Sequence, residues 1–203
     1  MARTRDEAAF AARQQKILRA AEALFVERGF HQTGMAAICE AAGMSPGALY
    51  RYFPSKAAII QAIVQEERAD AAALFARLGA ATDFRAALVE VLVEAIAAVS
   101  EESYARLALE IAAEGARDAG TGALLAEAEA ELHAQLTALI QAARGSGQIS
   151  TTVDPAAAAL VLLMLIDGAT GVGAGVPAPK PAVLRQTLAC IVDGLFADDR
   201  SSS

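Results

Sequence analysis

The sequence predicts an all-α protein: an N-terminal three-helix head with a helix-turn-helix, then a C-terminal helical bundle, about nine helices in total. Three observations carry that expectation. Apolar residues recur at 3.6-residue spacing almost throughout, and no run alternates with the period of two that marks a strand. Alanine, the strongest helix former, is abundant, while aromatic residues make up only 5% and Trp is absent. Glycine, proline, serine and aspartate gather at a few points, where they read as adjacent helix stops and starts.

The first helix is expected from about Ala8 to Arg28, with Ile17, Leu18, Ala21, Leu24 and Phe25 on one face and Gly29 as its stop. Arg3 and Arg5 precede it, either as a solvated terminus or as an arm reaching a phosphate or the minor groove. Thr33 stands where a hydroxyl caps the second helix, Met35 to Ala42, whose Ile38 and Ala41 face the core. Gly43-Met44-Ser45 then forms the short glycine-containing turn of a helix-turn-helix. Gly43 suits a left-handed stop, Ser45 a cap, and Pro46 the first turn of a third helix ending at Tyr52.

With Leu49 taken as inward, 100° per residue puts Pro46 and Phe53 on its side, Gly47 and Arg51 opposite, and Ala48 and Tyr50 on the flanks. Pro54 ends the run. Ser55 caps a fourth helix, and Lys56 stands at that helix's N-terminus, where backbone N–H groups favour an anion. This helix runs to about Arg77, too long for the head alone, so the head (1–56) continues into a connector (55–78) and the body covers 79–203.

In the body, Asp83 caps a fifth helix carrying Leu88, Val91, Leu92, Ala95, Ile96 and Val99. A sixth is expected from about Glu101 to Glu114 and a seventh from Leu124 to Arg144, opened by Gly120-Thr121-Gly122. Asp154-Pro155 starts an eighth, apolar nearly all round and so expected to be buried on more than one side. A proline-rich linker over 176–181 leads to a last helix, Ala182 to Phe196, and a polar tail follows from Asp198.

The formal net charge is -7, but it is unevenly spread: the first 56 residues carry eight basic and five acidic side chains, a net +3, leaving -10 for the rest. A basic head on an acidic body keeps nucleic acid open as a partner. The most apolar segment, Ala156 to Ile166, is too short to span a bilayer, and the N-terminus lacks the apolar stretch of a signal peptide, so a cytoplasmic location is expected. Cys39 and Cys190 show no CxxC spacing and read as small core residues. His31 and His133 supply no Glu-x-x-His pair, and HExxH, P-loop and GxSxG patterns are missing, so no metal or cofactor is expected and a helical-bundle enzyme is disfavoured.

The stretch from about Ile17 to Ile63 resembles the DNA-binding domain of TetR-type transcriptional regulators. It does so through ILRAAEALFVERGF, Thr33, Ile38, AAGMSPGALYRYFPSK and the long helix that follows. The resemblance implies a homodimer on a palindromic operator, a ligand-binding and dimerisation body, and DNA contacts at Thr33, Ser45, Pro46, Gly47, Ala48, Tyr50, Arg51, Tyr52 and Lys56. Tyr50, Tyr52 and Lys56 match positions that contact phosphate, although either tyrosine can instead be a packing aromatic. Read physically, Gly47 allows close approach to base edges, Ala48 can touch a thymine methyl, and Arg51 can pair with guanine or hold a phosphate.

Family-type dimerisation uses the last two helices, here through Leu160, Leu163, Met164, Leu188, Ile191 and Leu195, which otherwise form an intrachain core. Pocket candidates are Phe84, Tyr104, Leu107, Glu110, Ile111, Gln135, Met164, Asp167 and Thr170, for an apolar or cationic effector. Glu110 and Asp167 stand out because carboxylates within apolar helices need partners. A body that binds a protein partner, or only dimerises, is the alternative.

Overall fold

A computed structural model of the chain describes residues 2–150, 152–173 and 179–196, the side chains of 2–6, 172 and 173 excepted. Among the described residues there are nine helices and no strand. They are α1 (Ala2–Arg28), α2 (Met35–Ala42), α3 (Pro46–Tyr52), α4 (Lys56–Gly79), α5 (Phe84–Val99), α6 (Glu102–Gly115), α7 (Ala119–Gly145), α8 (Pro155–Gly173) and α9 (Pro181–Phe196). The side chains of Arg3 and Arg5, residues 176–178 of the expected linker and the tail from Asp198 lie outside the described residues.

Most boundaries follow local chemistry. Asp83 Oδ1 accepts from the Ala86 amide at 3.0 Å to start α5, and Asp154 Oδ1 accepts from the Ala157 amide at 2.9 Å to start α8. Ser55 does the same for α4 through the Ala58 amide at 3.1 Å. Two starts differ from expectation. α1 begins at Ala2 rather than Ala8, since nothing in ARTRDE stops a helix. α7 begins at Ala119 rather than Leu124, because Asp118 Oδ1 takes both the Thr121 amide at 2.7 Å and the Thr121 hydroxyl at 2.8 Å. Those two bonds hold the Asp118 carboxyl below the usual carboxylate range. The glycines there serve packing: a Cβ on Gly122 would stand 2.6 Å from the Gly115 carbonyl oxygen.

The chain forms two compact units, one of residues 1–67 and 106–125, the other of 68–105 and 126–203. The division therefore falls inside α4, α6 and α7. The first unit buries Ile17, Ala21 and Phe25 of α1, Ile38 and Ala42 of α2, Leu49 of α3 and Ile59 and Ile60 of α4, all fully inaccessible. The inward residue of α2 is Ala42, where Ala41 was expected; Ala41 is exposed.

The second unit is built on α5, against which α8 and α9 pack. α9 presents Leu188, Val192 and Phe196, spaced four apart on one stripe, and Phe196 meets Phe84 edge-on with ring centroids 6.3 Å apart. That phase corrects two expectations. Leu188, expected on a surface between copies, is only 3% exposed and belongs to the core, while Leu163, Ile191 and Leu195 are half-buried against the same core. Cys190, expected in a core, is exposed, whereas Cys39 is buried. α8 is not covered on every side in the single chain: Leu160, Val161 and Met164 are 47%, 45% and 59% exposed along one stripe. No helix among the described residues is long and apolar enough to cross a membrane.

Candidate nucleic-acid interface

α2 and α3 are joined by a turn whose conformation each of its residues favours. Gly43 takes φ 64° and ψ 40°, the left-handed region that side chains resist, and the Gly43 and Met44 amides close back onto the Glu40 and Cys39 carbonyls at 3.0 Å each. Ser45 is extended, its Oγ accepts from the Ala48 amide at 3.4 Å, and Pro46 fills the first turn of α3. Leu49 and Phe53 anchor α3 in the core, both buried.

The opposite face of α3 is open. Gly47 and Arg51 are exposed, Tyr50 is 51% exposed, Ala48 is half-buried, and a Cβ placed on Gly47 would meet nothing within 4 Å. Ser45 is exposed as well. Pro46, expected on the buried side with Leu49, is exposed too, since the helix end at which it sits has nothing packed over it. Lys16 of α1, not singled out from the sequence, adds a cation beside the turn: its Nζ would lie 3.5 Å from a Cβ on Gly43, next to the carbonyl end of α2. Only the packing of α1 on α2 reveals this neighbour, because Lys16 by itself reads as an ordinary exposed helix residue.

Three expected contact residues have other partners. Thr33 does not cap α2; the capping position is Gly34, which offers no side-chain bond. Thr33 is fully buried, and its hydroxyl donates to the Gly29 carbonyl at 2.8 Å, with the Leu24 carbonyl at 3.2 Å as a second acceptor in reach. It satisfies the Gly29 carbonyl, which the end of α1 leaves open. Lys56 turns its Nζ onto the Phe30 carbonyl at 2.7 Å and lies 4.2 Å from the centre of the Phe30 ring. Burial lowers this ammonium below the ordinary lysine range, and the nearby Glu114 carboxylate offsets part of the effect. Tyr52 is half-buried with its ring against Phe10 of α1, centroids 4.6 Å apart, which is the packing-aromatic alternative; Tyr50 has the outward position.

A capped turn, an anchored short helix and an open face of small residues with one arginine make a surface that fits a major groove. Comparison with known proteins agrees. Residues 17–63 match the bacterial regulatory proteins of the tetR family, and residues 84–197 match the C-terminal region of BetI-type transcriptional repressors. The chain belongs to the TetR family of transcriptional regulators. It is 32% identical over 183 residues to the HTH-type transcriptional regulator UidR of Escherichia coli strain K12, covering 89% of this chain and 91% of that one. It is 28% identical over 158 residues to the repressor Rv1474c of Mycobacterium tuberculosis, covering 78% and 80%. The solved structure of Salmonella enterica GusR superposes with a TM-score of 0.77 at 33% identity, covering 92% of this chain and 96% of that one.

For a TetR-family regulator, the residues expected to line an effector pocket are widely distributed. Leu107, Glu110 and Ile111 belong to the first unit, and Phe84, Tyr104, Gln135, Met164, Asp167 and Thr170 to the second. Phe84 lines an open pocket of about 240 Å³ with Leu78, Leu139 and Gln148, and its amide donates to Gln148 Oε1 at 3.1 Å. Met164 and Asp167 face outward on α8. Partial desolvation pushes the Asp167 carboxyl above the usual carboxylate range even though the residue stands at the surface of the single chain. Glu110 has found its partner in the head, where its Oε2 accepts from the Phe30 amide at 2.8 Å.

Proposed function

We propose that the protein is a ligand-responsive repressor that binds a palindromic operator as a homodimer. The observation that carries the reading is the outward face of α3, where Ser45, Gly47, Tyr50 and Arg51 are open while Leu49 is buried. Gly47 and Ala48 bring the backbone close to base edges, Arg51 supplies the one long reader, and Tyr50 and the amides near Ser45 hold phosphates. With so few readers, shape and phosphate contacts supply much of the affinity.

Dimerisation is supported by the apolar stripe Leu160, Val161 and Met164 on α8, which a single chain leaves in water. Val183 of α9, 54% exposed, and Cys190 extend the candidate surface, replacing the buried Leu188. A two-fold dimer places two copies of α3 on half-sites about 34 Å apart, one turn of the duplex. A small apolar or cationic effector bound by the body then favours a dimer in which α4 has swung and the two copies of α3 no longer match successive grooves.

Selection of duplexes from a random pool, with sedimentation of the complex, tests the reading. An inverted repeat bound by two chains is the expected result. A selected site without two-fold symmetry, or a single chain on it, refutes the dimeric arrangement, and repeating the selection with candidate effectors tests release.

A further inference from the structure

Phe30 lies in the turn between α1 and α2, and both polar groups of its backbone are held by side chains from helices far along the chain. Its N–H donates to Glu110 Oε2 of α6 at 2.8 Å, and its carbonyl accepts from Lys56 Nζ of α4 at 2.7 Å. Gly29, just before it, has φ 81°, and a Cβ there would stand 3.3 Å from Glu110 Oε2, so glycine supplies both the backbone conformation and the room for the carboxylate. The Phe30 ring packs on Phe25, centroids 5.1 Å apart, beneath the Lys56 ammonium.

A second tie lies one helical turn further along α6. Glu114 Oε2 is 3.1 Å from His31 Nε2, which Arg117 also approaches at 3.2 Å. One imidazole nitrogen either accepts from Arg117 or donates to Glu114, not both at once. The Glu114 oxygen is buried and otherwise without a hydrogen-bond partner, so its charge acts on the cations around it, Lys56 among them.

α2 is held in the core by Ile38, Cys39 and Ala42 and has no side chain capping its own start, so the way the preceding turn is attached bears directly on how the helix begins. Thr33 closes the turn on Gly29 and reaches Leu24 of α1, Lys56 attaches it to α4, and Glu110 attaches it to α6. We propose that Glu110 is a positioning residue for DNA binding, fixing the α1–α2 turn through the Phe30 amide so that operator affinity depends on the tie to α6. The inference rests on the DNA-binding reading of α3.

The test uses a duplex that the full-length wild-type chain selects from a random pool, with affinity read by fluorescence anisotropy at a temperature where every variant is folded. Exchange of the Phe30 amide is followed in parallel. Glu110→Ala, and Glu110→Asp whose carboxylate is one methylene too short, are each expected to weaken binding by about tenfold or more and to speed Phe30 exchange by a similar factor. Glu110→Gln keeps an acceptor oxygen and is expected to stay within about threefold of wild type on both readouts. If Glu110→Ala does not fold, Glu110→Asp decides. Wild-type affinity in the Ala or Asp variant with faster Phe30 exchange overturns the proposal, as does a Gln variant as weak as Ala. Should the wild type select no duplex, the reading of α3 fails instead; Phe30 exchange then still judges the tie, and unchanged exchange overturns it.

Discussion

Replacing Thr33 by valine separates two roles for a residue that the family resemblance places at the DNA. Valine has nearly the same shape, so the change at this fully buried side chain is chiefly the loss of its hydroxyl. The hydroxyl donates to the Gly29 carbonyl at 2.8 Å with the Leu24 carbonyl 3.2 Å away, and the Gly29 carbonyl lies just past the end of α1, where the helix ladder provides no partner. A buried acceptor left without its donor costs about 1–3 kcal/mol. In a chain of 203 residues each kcal/mol shifts the melting temperature by about 2–4 °C, so a fall of roughly 2–12 °C is expected. Thr33→Ser restores the hydroxyl and most of the loss. Circular-dichroism melting measures the shift, and anisotropy with a selected duplex, read well below the transition, shows whether DNA binding is lost without the hydroxyl. An unchanged melting temperature together with lost DNA binding refutes the reasoning, because it puts the hydroxyl on a phosphate.

Two further substitutions probe α8. Leu160→Glu places a charge in the exposed apolar stripe and is expected to shift sedimentation from dimer to monomer without lowering helicity; a dimer that persists at micromolar concentration removes α8 from the interface. Asp167→Asn tests the raised carboxyl. A group whose folded pKa lies above its ordinary 3.8 favours the folded state while protonated and opposes it increasingly as pH rises through the folded value. Wild type and the Asn variant therefore melt together at pH 3, and the variant becomes the more stable one above the usual carboxylate range. A gap that opens instead toward acid pH contradicts the desolvation account.

Helix punctuation was the legible part of this fold because it is local chemistry. Gly43, Ser45-Pro46, Asp83 and Asp154-Pro155 each act within four residues, and each stands where its side chain predicts. The missed start of α7 was legible too: Asp118 three residues before Thr121 is a capping pattern, outweighed by the glycines beside it. The outward face of α3 followed from counting 100° per residue once Leu49 was set inward. What periodicity could not supply was the partner of each polar group. Glu110 meets Phe30 across 80 positions and Lys56 meets Phe30 across 26, and neither pairing leaves a trace in spacing. The phase of α9 was hidden for the same reason, since Leu184, Leu188, Ile191, Val192 and Leu195 make a broad apolar stripe and only docking on α5 decides which part of it is covered.

The claim that the open face of α3 reads the operator is tested most directly by Arg51→Ala, assayed on a selected duplex and on random DNA of the same length. Loss of a bidentate guanine contact costs about 1–3 kcal/mol, so affinity for the selected duplex falls by roughly 5-fold to 150-fold, while binding to random DNA changes by less than about threefold. Equal losses on both duplexes assign Arg51 to a phosphate, and no loss on either contradicts the reading surface itself.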